Sequence, residues 1–249
     1  MGVRKRRIRY FETADAVTDS KVQGSFAVVA DVLRATSTIT TALWNGCKAV
    51  IPVKHVQEAW DTASELTPHS FLLGGEREGK PIPGFHFGNS PQEYVRDVVR
   101  DKILITTTTN GTKALVHAAT AERVVVLSFL NMSAVAQAVL DSDLDVAAIA
   151  AGIYGKFSIE DSMCVGFLIR HLLETAPQQF YVEPEAEQIA EQAEHYQDRV
   201  FDLLQSSPHG DFLRKLDFGS DLVFCAQIDS CPVVPIYRQG RITLNSDGS

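Results

Sequence analysis

The sequence predicts an α/β protein: a three-layer α/β/α sandwich around a mostly parallel sheet, with a helical C-terminal third. Apolar runs of strand length recur along the chain: FAVVAD (26–31), AVIPV (49–53), FLLGG (71–75), KILIT (102–106), RVVVLSF (123–129) and DVAAIAAG (145–152). Segments with helical spacing separate them, the rhythm of repeated βαβ units. The runs are continuous rather than alternating, as strands covered by helices on both faces require.

Taken in order, the elements have identifiable ends. The helix that follows FAVVAD begins near Thr36, and Gly46 after LWN is its natural stop. Ser90, Pro91 and Glu93 supply an N-cap, a proline at the first helical position and a capping-box acid, which predicts a helix from Ser90 through Val99. From Glu183 the chain becomes rich in Glu and Gln. Ile189, Ala193, Tyr196, Val200 and Leu203 or Leu204 keep helical spacing there, predicting one long amphipathic helix with a charged outer face. Residues 207 to 231 read as shorter helices, and PVVPIYRQGRITL as a final strand or hairpin turning at Gln239-Gly240. There is no internal repeat and no linker, so residues 1–249 read as one domain in which 183–231 is mainly helical.

Composition narrows the function classes. The chain has 249 residues, 45% of them hydrophobic, enough for a substantial core. Lys and Arg number 23 against 31 Asp and Glu, a formal charge of -8, so non-specific attraction to nucleic acid or to an acidic membrane surface is not expected. The basic start, MGVRKRRIRYFET, has no apolar run behind it and no stretch is long enough to span a bilayer. Four cysteines far apart, without a CxxC pair, fit neither a zinc cluster nor a disulfide framework. A cytoplasmic setting is the simplest expectation.

In open parallel sheets ligands bind beyond the carboxyl ends of the strands, so the residues after each apolar run carry the chemistry. Asp31 and Arg34 follow the first run, with Thr36, Ser37 and Thr38 opening a helix whose free first-turn amides would suit phosphate. The same hydroxyls would equally serve as ordinary caps, with Arg34 in a surface pair. Thr108, Asn110, Gly111 and Thr112 repeat the design after KILIT, where a plain tight turn is the alternative. The segment 74–91 is long for a compact domain and reads as a lid or binding loop carrying Glu76, Asn89 and Ser90. Gly152, Tyr154 and Gly155 follow the last run, and Glu160 and Asp161 open the next helix.

Mg²⁺ prefers one or two carboxylates with water and substrate phosphate, and Asp31, Glu76 and Asp161 at one sheet edge meet that need. Arg34 with Thr36, Ser37 and Thr38 would hold phosphate, and Thr108, Asn110, Gly111 and Thr112 with Asn89 and Ser90 a second anionic group. The two assignments are interchangeable. Among the histidines, His86 in the long loop stands nearest this chemistry; His55, His69, His117, His171, His195 and His209 read as structural. There is no GxGxxG after the first strand, no GxxxxGK[ST], no HExxH and no GxSxG.

The motifs DVLRATST, GEREG followed by GFHFGNSPQEY, TTTNGT, AGIYGKFSIED and FCAQID before VVPIY occur in that order between about Asp31 and Ile242. This set resembles the 2-phosphosulfolactate phosphatase family. The resemblance implies an α/β/α fold, Mg²⁺ dependence and hydrolysis of (2R)-2-phospho-3-sulfolactate to 3-sulfolactate and phosphate, a step of coenzyme M biosynthesis. That substrate carries phosphate, carboxylate and sulfonate, in keeping with several anion sites. A non-catalytic binder and a lyase acting on a phosphorylated or sulfonated acid are the other classes compatible with the same crevice. A homodimer through the C-terminal helices is a further expectation.

Overall fold

A computed structural model describes residues 4–244. Met1–Val3 of the basic N-terminal stretch lie outside the described residues.

The chain enters through strand β1 (Arg6–Phe11) and short helix α1 (Asp19–Val22) into β2 (Phe26–Ala30) and α2 (Ala35–Trp44). Next come β3 (Ala49–Pro52), α3 (Val56–Ser64), the hairpin of β4 (Phe71–Arg77) and β5 (Lys80–Pro81), short α4 (Arg96–Val99), β6 (Ile103–Thr107) and α5 (Gly111–His117). The sequence continues through β7 (Arg123–Leu127), α6 (Met132–Leu140), β8 (Val146–Ala150) and α7 (Ile159–Thr175). Last are β9 (Phe180–Val182), α8 (Pro184–Glu194), α9 (Val200–Ser206), α10 (Pro208–Lys215), α11 (Gly219–Cys225) and the hairpin of β10 (Ile236–Arg238) and β11 (Arg241–Thr243). No helix among the described residues is long and apolar enough to cross a membrane.

The sheet order is β5-β4-β6-β3-β11-β10-β7-β2-β8-β1-β9. Two parallel blocks, β4-β6-β3 and β7-β2-β8-β1-β9, are joined by the C-terminal hairpin, which pairs antiparallel with β3 on one side and with β7 on the other. The six apolar runs are therefore strands, and the last hairpin closes the sheet from within rather than lying at an edge. Period-2 alternation sorts the β2 side chains. Phe26, Val28 and Ala30 join the core under α6, α7 and α8, while Ala27 and Val29 join one that holds Ile39 and Leu43 of α2, Leu115 of α5 and Leu104 of β6. Thus α2 and α5, each following a strand of a different block, share one apolar layer. Their N-termini meet.

Three expectations change. Residues 90–99 do not form one helix: a 3₁₀ turn (Pro91–Glu93) stops at Tyr94 before α4 begins. Tyr94 is fully buried, and its hydroxyl donates to the Gly88 carbonyl at 2.6 Å. A continuous helix would not place that ring against Gly74, where an added Cβ would fall 2.1 Å from the Tyr94 oxygen. The long helix from 183 is two helices, α8 and α9, because the chain turns at residues 195–199; Arg199 donates to the His195 carbonyl at 2.6 Å and so satisfies the end of α8. Finally, the basic N-terminal stretch contains an internal strand. Arg6 is buried there, stacked on Phe180, with its guanidinium donating to the carbonyls of Val139 and Ser142 and to Gln179. Charge masks that strand in the sequence, since an arginine can bury its stem and fork when carbonyls receive it.

Candidate active site

The turn from β2 into α2 fixes the first carboxylate. Asp31 is buried, its backbone N–H donates to the Thr36 hydroxyl at 3.1 Å, and its carbonyl accepts from the Thr36 N–H at 2.8 Å. The carboxylate itself accepts from the Ala35 N–H, so the first turn of α2 is capped by its own chain. Burial above all, with the neighbouring charges of Glu76 and Glu160, pushes this carboxyl up to about 6, against the opposing pull of His209 and the Ala35 N–H.

The hydroxyls expected to face phosphate are turned inward. Thr36 accepts from Asp31, Ser37 donates to the Val32 carbonyl at 2.8 Å, and Thr38 donates to the Asn89 carbonyl at 2.8 Å. They hold the turn rather than line the cavity, and the N–H groups of Thr36 and Thr38 are likewise bonded within the chain.

Arg34 does reach the cavity wall. Its Nη1 donates to Asp221 at 2.6 Å, its Nη2 to the Gly79 carbonyl at 3.0 Å, and its guanidinium stacks on Phe218 at 4.1 Å. Asp221, buried on α11, also accepts from Ser90 at 2.6 Å and Gln92 at 2.9 Å. The arginine is thus paired, but with a buried carboxylate and not at the surface, and Ser90 serves that carboxylate rather than the cavity.

Glu76 is the next-to-last residue of β4 and lines the same space. One oxygen accepts from the Gly79 N–H at 2.8 Å, the other from the Thr109 N–H and hydroxyl, each at 2.9 Å. It ties the β4–β5 turn to the loop after β6. In that loop Thr108, Thr109 and Asn110 line the cavity, and Asn110 accepts from the Tyr154 N–H at 3.1 Å. Gly111 and Thr112 sit behind them. An added Cβ on Gly111 would come 2.7 Å from the Ala35 Cβ and 2.9 Å from an Asp31 oxygen, so only glycine lets the two helix starts approach this closely.

Asp161 stands behind the wall. Its oxygens accept from the N–H groups of Val32 at 2.8 Å and Gly152 at 3.2 Å, locking the turn after β2 to the turn after β8. Burial, then Asp31 and Glu160, push its carboxyl well above the usual range.

The cavity measures about 250 Å³. Seven residues singled out in the sequence line it: Asp31, Arg34, Glu76, Asn89, Thr108, Asn110 and Tyr154. Thr36, Ser37, Thr38, Ser90, Gly111, Thr112 and Asp161 do not. The opposite side is α10, through Pro208, His209, Phe212 and Leu213, and sequence reasoning gave it no role. His86, singled out instead, lies away from the cavity with its ring nitrogen accepting from the Leu73 N–H at 2.9 Å. A proline-started helix bearing histidine is too common a pattern to mark a site, and Asp221 carries no signal in the sequence beyond being one of many acids.

Among the described residues no group of three or more His, Cys, Asp or Glu side chains is placed to hold a metal by itself. A magnesium ion needs fewer protein ligands, taking its remaining oxygens from water and phosphate. The donor set suits such an ion: Asp31 and Glu76 offer hard oxygens to the cavity.

The family model described as 2-phosphosulpholactate phosphatase matches residues 11–240 of the chain. A probable 2-phosphosulfolactate phosphatase of Symbiobacterium thermophilum is 40% identical over 225 residues, covering 90% of this chain and 96% of the relative. One of Clostridium acetobutylicum is 39% identical over 230 residues (92% and 97%), and one of Caldanaerobacter subterraneus 36% over 244 residues (96% and 99%).

Proposed function

The chain belongs to the 2-phosphosulfolactate phosphatase family, and from that premise we propose that it hydrolyses (2R)-2-phospho-3-sulfolactate to 3-sulfolactate and phosphate in the cavity above, with Mg²⁺ as its metal ion. The observation that carries this reading is the meeting of Asp31, Arg34 and Glu76 with the Thr108–Asn110 loop at the ends of three strands, β2, β4 and β6. A substrate bearing phosphate, carboxylate and sulfonate demands positive charge and N–H donors from a protein whose net charge is -8. Arg34 supplies a buried positive charge whose position is fixed by Asp221, Gly79 and Phe218. Asn89, Thr108 and Asn110 add polar groups for the remaining anionic ends.

Asp31 and Glu76 would hold the metal, with Asp161 fixing the Val32 and Gly152 turns on either side. Bound there, Mg²⁺ supplies positive charge against the phosphoryl oxygens and positions for water. The protein's own part is placement. Asp31 cannot move without breaking the cap of α2, and Glu76 cannot move without releasing Gly79 and Thr109. Carboxylates fixed in this way would hold the cation in place with little reorganisation during the reaction.

The test is phosphate release from phosphosulfolactate and a panel of other phosphate monoesters, with Mg²⁺ and with EDTA. The expected result is fastest release from phosphosulfolactate, abolished by EDTA and restored by Mg²⁺. Release that EDTA leaves untouched would remove the metal. Ligand binding without phosphate release in any metal would leave a binder, and an unsaturated product a lyase.

A further inference from the structure

Metal and anion contacts leave one requirement of alkyl phosphate hydrolysis unmet. The 2-oxygen of sulfolactate departs as a secondary alkoxide, a strong base, unless a proton reaches it as the P–O bond breaks. Few groups on the cavity wall can give one. Arg34 does not release a proton under any ordinary condition. Glu76 accepts from Gly79 and Thr109, and Asp31 is assigned to the metal. Tyr154 lines the cavity but is 68% exposed.

His209 differs from all of these. It lies on the cavity wall in the first turn of α10, and its Nδ1 is 3.3 Å from Oε1 of Glu160. Glu160 is buried, and that oxygen has no hydrogen-bond partner of its own, so the imidazole is the one group presented to it. With Nδ1 turned to Glu160, Nε2 is left without a bonded partner among the described residues. A ring nitrogen set beside a buried carboxylate, on a residue that lines the cavity, is an arrangement by which proteins aim a histidine.

We infer that His209 is the general acid for the leaving oxygen and that Glu160 is the positioning residue that orients its ring. The inference rests on the phosphatase reading. As the attacking oxygen forms its bond to phosphorus, the bond from phosphorus to the C2 oxygen breaks and its electron pair stays on that oxygen. The Nε2 proton of the imidazolium passes to the same oxygen, giving the free hydroxyl of the product. The water consumed by hydrolysis gives up a proton that restores the imidazolium, so protons and charge balance over the cycle.

The test compares leaving groups with the Mg²⁺-loaded full chain. His209→Asn and His209→Gln should lower kcat for phosphosulfolactate by roughly 10²- to 10⁴-fold, the range of general acid catalysis. Acetyl phosphate and p-nitrophenyl phosphate, whose leaving groups need no proton, should lose less than about threefold on the same scale. Glu160→Gln should show the same selectivity at smaller amplitude. Across a series of esters the dependence of kcat/KM on leaving-group basicity should be shallow in the native protein and steep in the variants. Equal losses on alkyl and activated esters, or no loss on the alkyl ester, would overturn the inference. If a variant is poorly folded, the shallow slope of the native protein still decides it, since a steep one excludes a proton donor. Failure of the native protein to release phosphate from any ester would instead remove the phosphatase reading itself.

Discussion

The two sides of the cavity are built by different means. One side is the strand-end wall, where Asp31, Glu76, Thr108 and Asn110 each lie at the end of a parallel strand or within three residues of it. The other is the α10–α11 wall, where His209 of α10 lines the cavity and Asp221 of α11, behind the lining, grips Arg34 across 187 residues of sequence. A βα unit determines locally where its last strand residue points, whereas a helix in the C-terminal third is placed only by packing. The first wall should therefore carry the chemistry through groups fixed by their own turns, and the second should tune it through groups that depend on how α10 and α11 are seated.

The largest effect should come from the strand-end wall. Asp31→Asn is expected to lower kcat by roughly a thousandfold or more, since removing one member of a catalytic unit costs about as much as removing the unit. The fold should survive. Asparagine keeps the shape and an oxygen for the Ala35 N–H, and it removes a charge that burial, Glu76 and Glu160 already disfavour. A melting temperature equal to or above the native one, with phosphate release gone, separates this outcome from unfolding; native-like activity would break the comparison at its strongest point.

On the other wall, Asp221→Asn should act through binding. The charge-assisted bond it weakens is worth about 1.5–3 kcal/mol, roughly ten- to hundredfold in kcat/KM. The loss should fall on KM with kcat nearly unchanged, because Arg34 would still be present but no longer aimed. Asp221→Ala goes further. It leaves the Arg34 charge buried without its partner, which costs about 3–5 kcal/mol, and chemical denaturation should register it. A fall in kcat at constant KM would show that the α11 side takes part in the chemical step as well.

How much of this was legible follows the same division. The six apolar runs became strands and the turns after them became the wall, because continuous hydrophobicity and strand-end polarity are local signals. Thr36, Ser37 and Thr38 were misdirected for a physical reason. A hydroxyl at a helix start can serve phosphate or its own backbone, and here Asp31, Val32 and Asn89 take all three. Asp161 is legible as a strand-edge acid but its place is not, since nothing local says that Val32 and Gly152 will donate to it. His209, Glu160 and Asp221 depend on contacts made only after the C-terminal helices dock.

Gly111→Ala probes the junction that the two helix starts share, and a smaller effect is expected. The added methyl meets the Ala35 Cβ at 2.7 Å and an Asp31 oxygen at 2.9 Å, so α5 or α2 must shift. Overpacking of this kind costs about 1–3 kcal/mol, partly offset by the better helix propensity of alanine, up to about 1 kcal/mol. A net loss of 1 kcal/mol would lower the melting temperature by about 2–4 °C in a chain of this size. Activity should fall with it, because the shift displaces Asp31. A stabilised variant with full activity would mean that the two helix starts are not pressed together.

The smallest expected signal comes from the thiols, which compare the seating of α11 with that of α7. Cys225 on α11 is fully buried with its thiol near Ser37 of α2, and Cys164 is fully buried on α7. Burial pushes Cys225 up to about 12 and Cys164 well above the ordinary thiol range. The thiolate is the reactive form, so at pH 8 neither should react with a disulfide reagent while the protein is native. Reaction then requires opening, and its rate reports how often each region opens. If α11 is seated as firmly as α7, the two cysteines, distinguished by Cys→Ser variants, should react together at the rate of global unfolding. Faster reaction at Cys225 would show that the α10–α11 wall opens by itself. It would also mean that Asp221 releases Arg34 on each opening, making the grip on the substrate anion depend on whether that wall is closed.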